Sequence, residues 1–386
     1  MYTTAKHAKR MLLITAIVAG FVASVAFGAP LGLPPVPVPS DNAITPEKVK
    51  LGDKLFEDKR FSSTGKISCS NCHDRKKAFT DNLTVSEGIN KLKGTRNAPT
   101  VINAAYLTTQ FWDGREPTLE SQSGQPPLNP VEMGLKDYSL ILKIVRTDPE
   151  YTALFKKAFN KTGKQITMKE VKQAIAAFER TIVAGNSPFD RYYYGGDKKA
   201  MSPAAIRGLK VFLGQGRCVS CHVIEQTNAL FTDNRFHMIG VAANDMPKNL
   251  DELSAAVEEV KKKGTDIAVL SNKKTSSLGR YAVTRDLTNI GAFKTATLRN
   301  IDLTAPYMHD GSVNTLEEVV DFYNNGGRLK ESDPVPELLS GGIRPLNLSD
   351  EQKADLVEFM KALTSPEFAK KEAGSPNTKT NKETEK

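Results

Sequence analysis

A chain of 386 residues is long enough for two ordinary domains. Its hydrophobic content of 39% and charged content of 25% exclude a disordered or low-complexity protein. The formal charge is +9, and no Arg/Lys stripe interleaved with aromatics points to nucleic acid.

Residues 1–29 are expected to be a signal peptide. Lys6, Lys9 and Arg10 form its basic start, and residues 11–25 an apolar core too short for a comfortable membrane span. Ala26, Gly28 and Ala29 mark the cleavage zone; an uncleaved anchor is the alternative. The mature protein is then exported, to the periplasm in a cell with two membranes. Residues 30–46 are rich in proline and read as an extended linker. A first domain is expected over 47–195, opening with a helix at 46–56. Residues 168–183 form an amphipathic helix with Val171, Ile175, Phe178 and Ile182 on one face. A second domain is expected over 196–365. It holds a helix at 203–213 with Ile206, Leu209 and Phe212 inward, and a last helix capped by Ser349 with Gln352 three positions on. Residues 241–280, polar, lysine-rich and free of aromatics, read as a long surface excursion. The tail 366–386 reads as disordered. Strand-like alternation is scarce.

Four cysteines in an exported protein ordinarily mean disulfides. Here all four fall in two copies of C-x-x-C-H: Cys69-Ser-Asn-Cys72-His73 and Cys218-Val-Ser-Cys221-His222. Two thiols at this spacing bond one haem covalently, and the adjacent histidine becomes the proximal iron ligand. The two histidines are 149 residues apart, about one domain length, so each domain is expected to hold one haem c. Removing the three basic residues of the signal peptide lowers the charge to +6, and four haem propionates bring it near +2. The basic balance therefore says little about partners.

The halves repeat beyond these motifs. Phe79-Thr-Asp-Asn82 follows the first and Phe231-Thr-Asp-Asn234 the second. Trp112-Asp-Gly114 precedes Thr118-Leu-Glu120, as His309-Asp-Gly311 precedes Thr315-Leu-Glu317 at the same offset. Trp112 thus stands where the second copy has His309. The expected fold is mostly α: two duplicated cytochrome c-like domains, each wrapped on one covalent haem, with long loops.

Taken with the two haem motifs, Phe111-Trp-Asp-Gly-Arg115, Asn129-Pro-Val-Glu-Met133 and Ala305-Pro-Tyr-Met-His-Asp-Gly311 resemble the bacterial diheme cytochrome c peroxidases over roughly 45–365. The resemblance implies reduction of hydrogen peroxide with electrons from a small cytochrome c or a cupredoxin. The related MauG-type enzymes oxidise a tryptophan in a partner protein. It implies a peroxidatic first haem (His73) and an electron-accepting second haem (His222). Gln122 and Glu132 match the distal pocket, where splitting O–O needs a group that takes and returns a proton. Trp112 matches a tryptophan lying between the haems. Asn97, Thr304 and Pro306 match an inter-domain calcium site of oxygen ligands.

Two features depart from that pattern. The histidines number five (His7, His73, His222, His237 and His309), and none lies between His73 and His222. The loop 86–92 that carries a removable distal histidine in many relatives has Ile89 at that place. The first iron is therefore expected to be five-coordinate or water-bound, without reductive activation. On the second haem, register puts Tyr323 at the sixth-ligand position, with Met308 as the alternative. A tyrosinate stabilises ferric iron, whereas methionine raises the potential. His237 and His309 are expected to hydrogen-bond in the pocket or to propionates. The leading expectation is a peroxide-reducing enzyme; a MauG-like oxidase of a protein tryptophan is second, and a non-catalytic diheme carrier third. A carrier gains from two fully ligated irons, which Glu132, Gln122 and the open first haem contradict. Whether the molecule forms a homodimer is left open.

Overall fold

The computed structural model describes residues 28–369 apart from 331 and 334–337, so most of the expected signal peptide and of the tail lies outside the described residues. The chain is built from short helices and long connections. Its one sheet among the described residues pairs Phe236–His237 with Phe293–Lys294, antiparallel. None of the described helices is long and apolar enough to cross a membrane.

Each half is organised by one helix crossing. In the first, Pro46–Glu57 starts at Thr45, whose hydroxyl accepts from the Lys48 N–H, with proline at its first position. Met168–Glu179 starts with a reciprocal box between Thr167 and Glu170. Gly52 lies against the Ala174 carbonyl, where a Cβ would come within 1.9 Å, so only glycine permits this approach. In the second half Pro203–Leu213 crosses Asp350–Lys361, which begins at the expected Ser349–Gln352 box. A Cβ on Gly208 would likewise come within 1.9 Å of the Asp355 carbonyl oxygen. Phe56 packs on Phe178 at 5.4 Å between ring centres, and Phe212 on Phe359 at 4.9 Å. Each pair anchors its own apolar core. The 168–183 helix ends earlier than expected, at Glu179, although Ile182 stays buried in the turn that follows.

The duplication extends to the backbone. Phe79 and Phe231 both adopt left-handed conformations (φ 57° and 52°), as do Asn103 and Asn300 (64° and 60°) and Phe111 and Met308 (65° and 73°). Such values are uncommon for residues with side chains, so their recurrence in register marks one fold used twice.

Two segments differ from their expected character. Residues 241–280 are no surface excursion. They form the helices Leu250–Lys263, Thr265–Ser271 and Lys273–Ser277, with a core of Ala256, Val260, Ala268, Val269 and Leu270. They dock on the first half, where Thr95 Oγ1 donates to the Val269 carbonyl at 2.6 Å and Arg96 Nε to Ser276 Oγ at 3.1 Å. Small apolar residues at helical spacing make this core, and the lysines on the outer face dominate the composition and conceal it. The proline-rich segment is extended, but it is held to the body. Tyr106 donates to the Pro34 carbonyl, and Arg299, buried with Asp190 at 2.9 Å, donates to the Gly32 carbonyl.

Candidate functional site

A central cavity of about 610 Å³ is lined by both motifs: Cys69, Cys72 and His73 from the first half, Cys218, Cys221 and His222 from the second. None of the four cysteines is in a disulfide. Burial pushes the Cys72 and Cys218 thiols up to about 12 and Cys69 higher still. Uncharged sulfur at a cavity wall suits a thioether bond. His73 Nδ1 lies 3.1 Å from the Phe79 carbonyl and His222 Nδ1 2.9 Å from the Phe231 carbonyl. A carbonyl only accepts, so each ring carries its proton on Nδ1 and keeps Nε2 free for iron. Burial lowers both imidazole pKa values, favouring the neutral form that a ligand needs. The left-handed Phe79 and Phe231 turn these carbonyls onto the rings, and the donor set fits one covalent haem per motif.

On the first half's side, Glu132 and Gln122 line the same cavity. Gln122 ends the short helix Leu119–Gln122, which a Thr118–Ser121 box begins and Gly124, Pro126 and Pro127 interrupt. Glu132 lies on a turn whose N–H donates to the Asn129 carbonyl. Its Oε2 is fully enclosed without a hydrogen-bond partner. Burial pushes this carboxyl up to about 8; Asp266 adds to the shift and Arg115 opposes it. Glu179, also in the cavity wall, has an enclosed, unpartnered Oε2 and is likewise raised by burial to about 8. In the 86–92 loop Ser86 and Gly88 face the cavity, while Ile89 is buried and its N–H donates to the Glu132 carbonyl at 2.8 Å.

On the second half's side, the helix Leu316–Asn324 brings Tyr323 to the cavity. Burial, with Cys218 and Cys221 nearby, holds the phenol well above its ordinary pKa. Met308 lines the cavity as well. His237 donates to Asp233 at 2.8 Å, and the Cys221 thiol and that carboxylate raise it to about 9. His309 stacks on Phe293 at 3.6 Å, its pKa lowered by burial and by Arg96.

Trp112 joins the halves. Its Nε1 donates to the Asn97 carbonyl at 2.9 Å, and the Asn97 N–H donates to the His309 carbonyl at 2.9 Å. The Asn97 amide nitrogen donates to the Leu83 carbonyl at 2.8 Å. Thr304 and Pro306 line the cavity with it.

Sequence reasoning missed a buried ionic group beside Glu132. Arg96 pairs with Asp113 at 2.7 Å, and Arg115 bridges Asp113 and Asp266. Asp113 and Arg115 belong to the Phe111-Trp-Asp-Gly-Arg115 motif and were open to notice. Asp266 lies in the supposed excursion, and nothing local announces its partner. Lys294 was also missed. It is buried beside Trp112 and donates to the Thr109 carbonyl; burial lowers it to about 8 against the pull of Asp113.

The family model for di-haem cytochrome c peroxidase matches residues 46–199. Cytochrome-c peroxidase IdrP1 of Denitromonas iodatirespirans is 37% identical over 343 residues, covering 88% of this chain and 87% of that protein. Methylamine utilization protein MauG of Methylorubrum extorquens is 35% identical over 329 residues, covering 85% and 81%. The crystal structure of a MauG-like protein associated with microbial copper homeostasis superposes with a TM-score of 0.73 at 34% identity, covering 89% and 96%. With similarity of this extent, and two haem-attachment motifs on one cavity, the chain belongs to the di-haem cytochrome c peroxidase family, whose members are peroxidase-class oxidoreductases.

Proposed function

We propose that this protein is an exported enzyme that reduces hydrogen peroxide to water at the first haem, with electrons entering by the second. The observation that carries the reading is the enclosed, unpartnered carboxyl oxygen of Glu132 on the cavity wall. Cys69, Cys72 and His73 hold the first haem, and Cys218, Cys221 and His222 the second. When bound, these groups supply a redox-active iron for peroxide and a second iron that takes in electrons. Glu132 accepts the proton of the near peroxide oxygen and returns it to the departing one, and Gln122 orients the peroxide. Each turnover takes two electrons and two protons and yields two waters. Trp112 carries electrons between the halves, since its hydrogen bonds link both. Asn97, Thr304 and Pro306 would hold calcium through their oxygens. Tyr323, with Met308 as the alternative, would be the further residue holding the second haem, and the 86–92 loop, which contains no histidine, would offer the first haem no such residue.

The test is steady-state consumption of peroxide by the diheme protein with a reduced small cytochrome or cupredoxin as donor. Turnover that Glu132→Gln abolishes supports the reading. No turnover with any donor, or two low-spin irons that exclude peroxide, overturns it.

Tyr323 favours a second reading, peroxide-dependent oxidation of a tryptophan in a partner protein, because a phenolate ligand makes high oxidation states accessible. Peroxide consumed only when a protein substrate is present would select it.

A further inference from the structure

Arg115 stands close to Glu132 and would be its natural ion-pair partner, yet each of its three guanidinium nitrogens donates to another carboxylate. Nε and Nη2 donate to Asp266 Oδ1 at 2.9 and 2.7 Å, and Nη1 donates to Asp113 at 3.1 and 3.2 Å. One face lies on the Phe111 ring, 3.5 Å from its centre. The second Asp266 oxygen accepts from Asn129 Nδ2 at 2.6 Å. Asn129 in turn holds the turn that carries Glu132: its side-chain oxygen accepts from Val131 N–H, and its carbonyl from Glu132 and Gly134 N–H. Asp266 belongs to the first turn of Thr265–Ser271, a segment of the second half docked on the first. The first half's pocket is therefore incomplete without it.

We propose that Asp266 is a positioning residue for Glu132. By occupying Arg115 and tethering Asn129, it keeps Glu132 out of an ion pair and free to carry a proton. This rests on the peroxidatic reading of Glu132. The raised carboxyl agrees with it, since Asp266 raises Glu132 and Arg115 lowers it. The titratable groups facing Glu132 are Arg115, Asp266 and the attachment cysteines Cys69 and Cys72, which carry no charge as thioethers.

The test follows the Glu132 carboxyl by infrared difference spectroscopy in the ferric diheme protein, assigning its band by loss in Glu132→Gln. Asp266→Asn removes the charge and keeps only one of the two acceptor oxygens. It should lower the Glu132 midpoint by about one pH unit, which raises the ionised fraction up to about tenfold at a fixed pH. The rise of the peroxide rate constant with pH should move down by the same interval. Asp266→Glu should restore the parental midpoint, and Arg115→Gln should shift it upward. A midpoint unmoved by both Asp266→Asn and Arg115→Gln overturns the proposal, as does a lower rate with an unchanged pH profile, the mark of a merely structural role. If Glu132→Gln keeps full peroxide turnover, the peroxidatic reading fails instead, and the midpoints still decide whether Asp266 governs Glu132.

Discussion

Thr118 and Thr315 begin their helices by the same reciprocal cap, yet one helix stops after Gln122 and the other runs to Asn324. Register pairs Gln122 with Val319 and Pro126 with Tyr323. Residues four apart on a helix share a face. In the second half the extra turn therefore carries a phenol to the cavity. In the first, the helix stops at Gln122, a separate short helix Gln125–Leu128 puts Pro126 on the cavity wall, and the chain returns with Glu132. A duplicated frame thus brings different side chains to the cavity, Gln122 on one side and Tyr323 on the other, through the length of a single helix. A second pair differs in the frame itself. Ile102 and Arg299 occupy equivalent buried positions, but Arg299 alone is tied to Asp190 and to the carbonyls of Gly32 and Ala229.

The sharpest break of this comparison is Glu132→Gln. Peroxide turnover should fall by about 10²–10⁴, the usual range for a lost general acid–base, with haem content unchanged by pyridine haemochrome assay. Arg299→Ile installs the first half's residue in the second. It leaves Asp190 buried without its cation and should cost about 3–5 kcal/mol in denaturant unfolding of the diheme protein. Tyr323→Met should raise the midpoint potential of the second haem alone, by a fraction of the ~0.8 V range that axial ligands span. Spectroelectrochemistry that shows both haems moving, or neither, would count against Tyr323 as ligand.

Glu132 and Glu179 tie the first half's side of the cavity to pH. Both are raised to about 8, above the ordinary carboxylate value near 4.3. A raised folded-state pKa gives stability that is complete below the unfolded value and is lost as pH rises through the folded one. Between about pH 5 and 8, each should contribute a loss on the order of 1 kcal/mol per pH unit, and the double change to Gln should flatten that slope. The smallest effect is expected at the caps. Thr315→Ala should cost about 1 kcal/mol, and Thr118→Ala less, because the helix it begins is a single turn.

The sequence alone determined what is local or periodic. The two C-x-x-C-H motifs are legible in the cysteine spacing, because two thiols and a histidine at that interval suit one haem. The helices at 46–56, 203–213 and after Ser349 follow from caps and apolar periodicity, and the repeat from register. The 168–183 helix was legible except at its end, where Arg180 ends it at Glu179 without any proline or glycine to signal it. Only the tertiary structure decided what Glu132 faces. Its environment depends on Asp266, 134 residues away, and on how Arg115 divides its hydrogen bonds between two carboxylates. The same holds for the supposed excursion, whose apolar stripe became visible once it had a surface to dock on. Ion pairs across such separations leave no periodicity in a chain, since any acid can meet any arginine until folding excludes the rest.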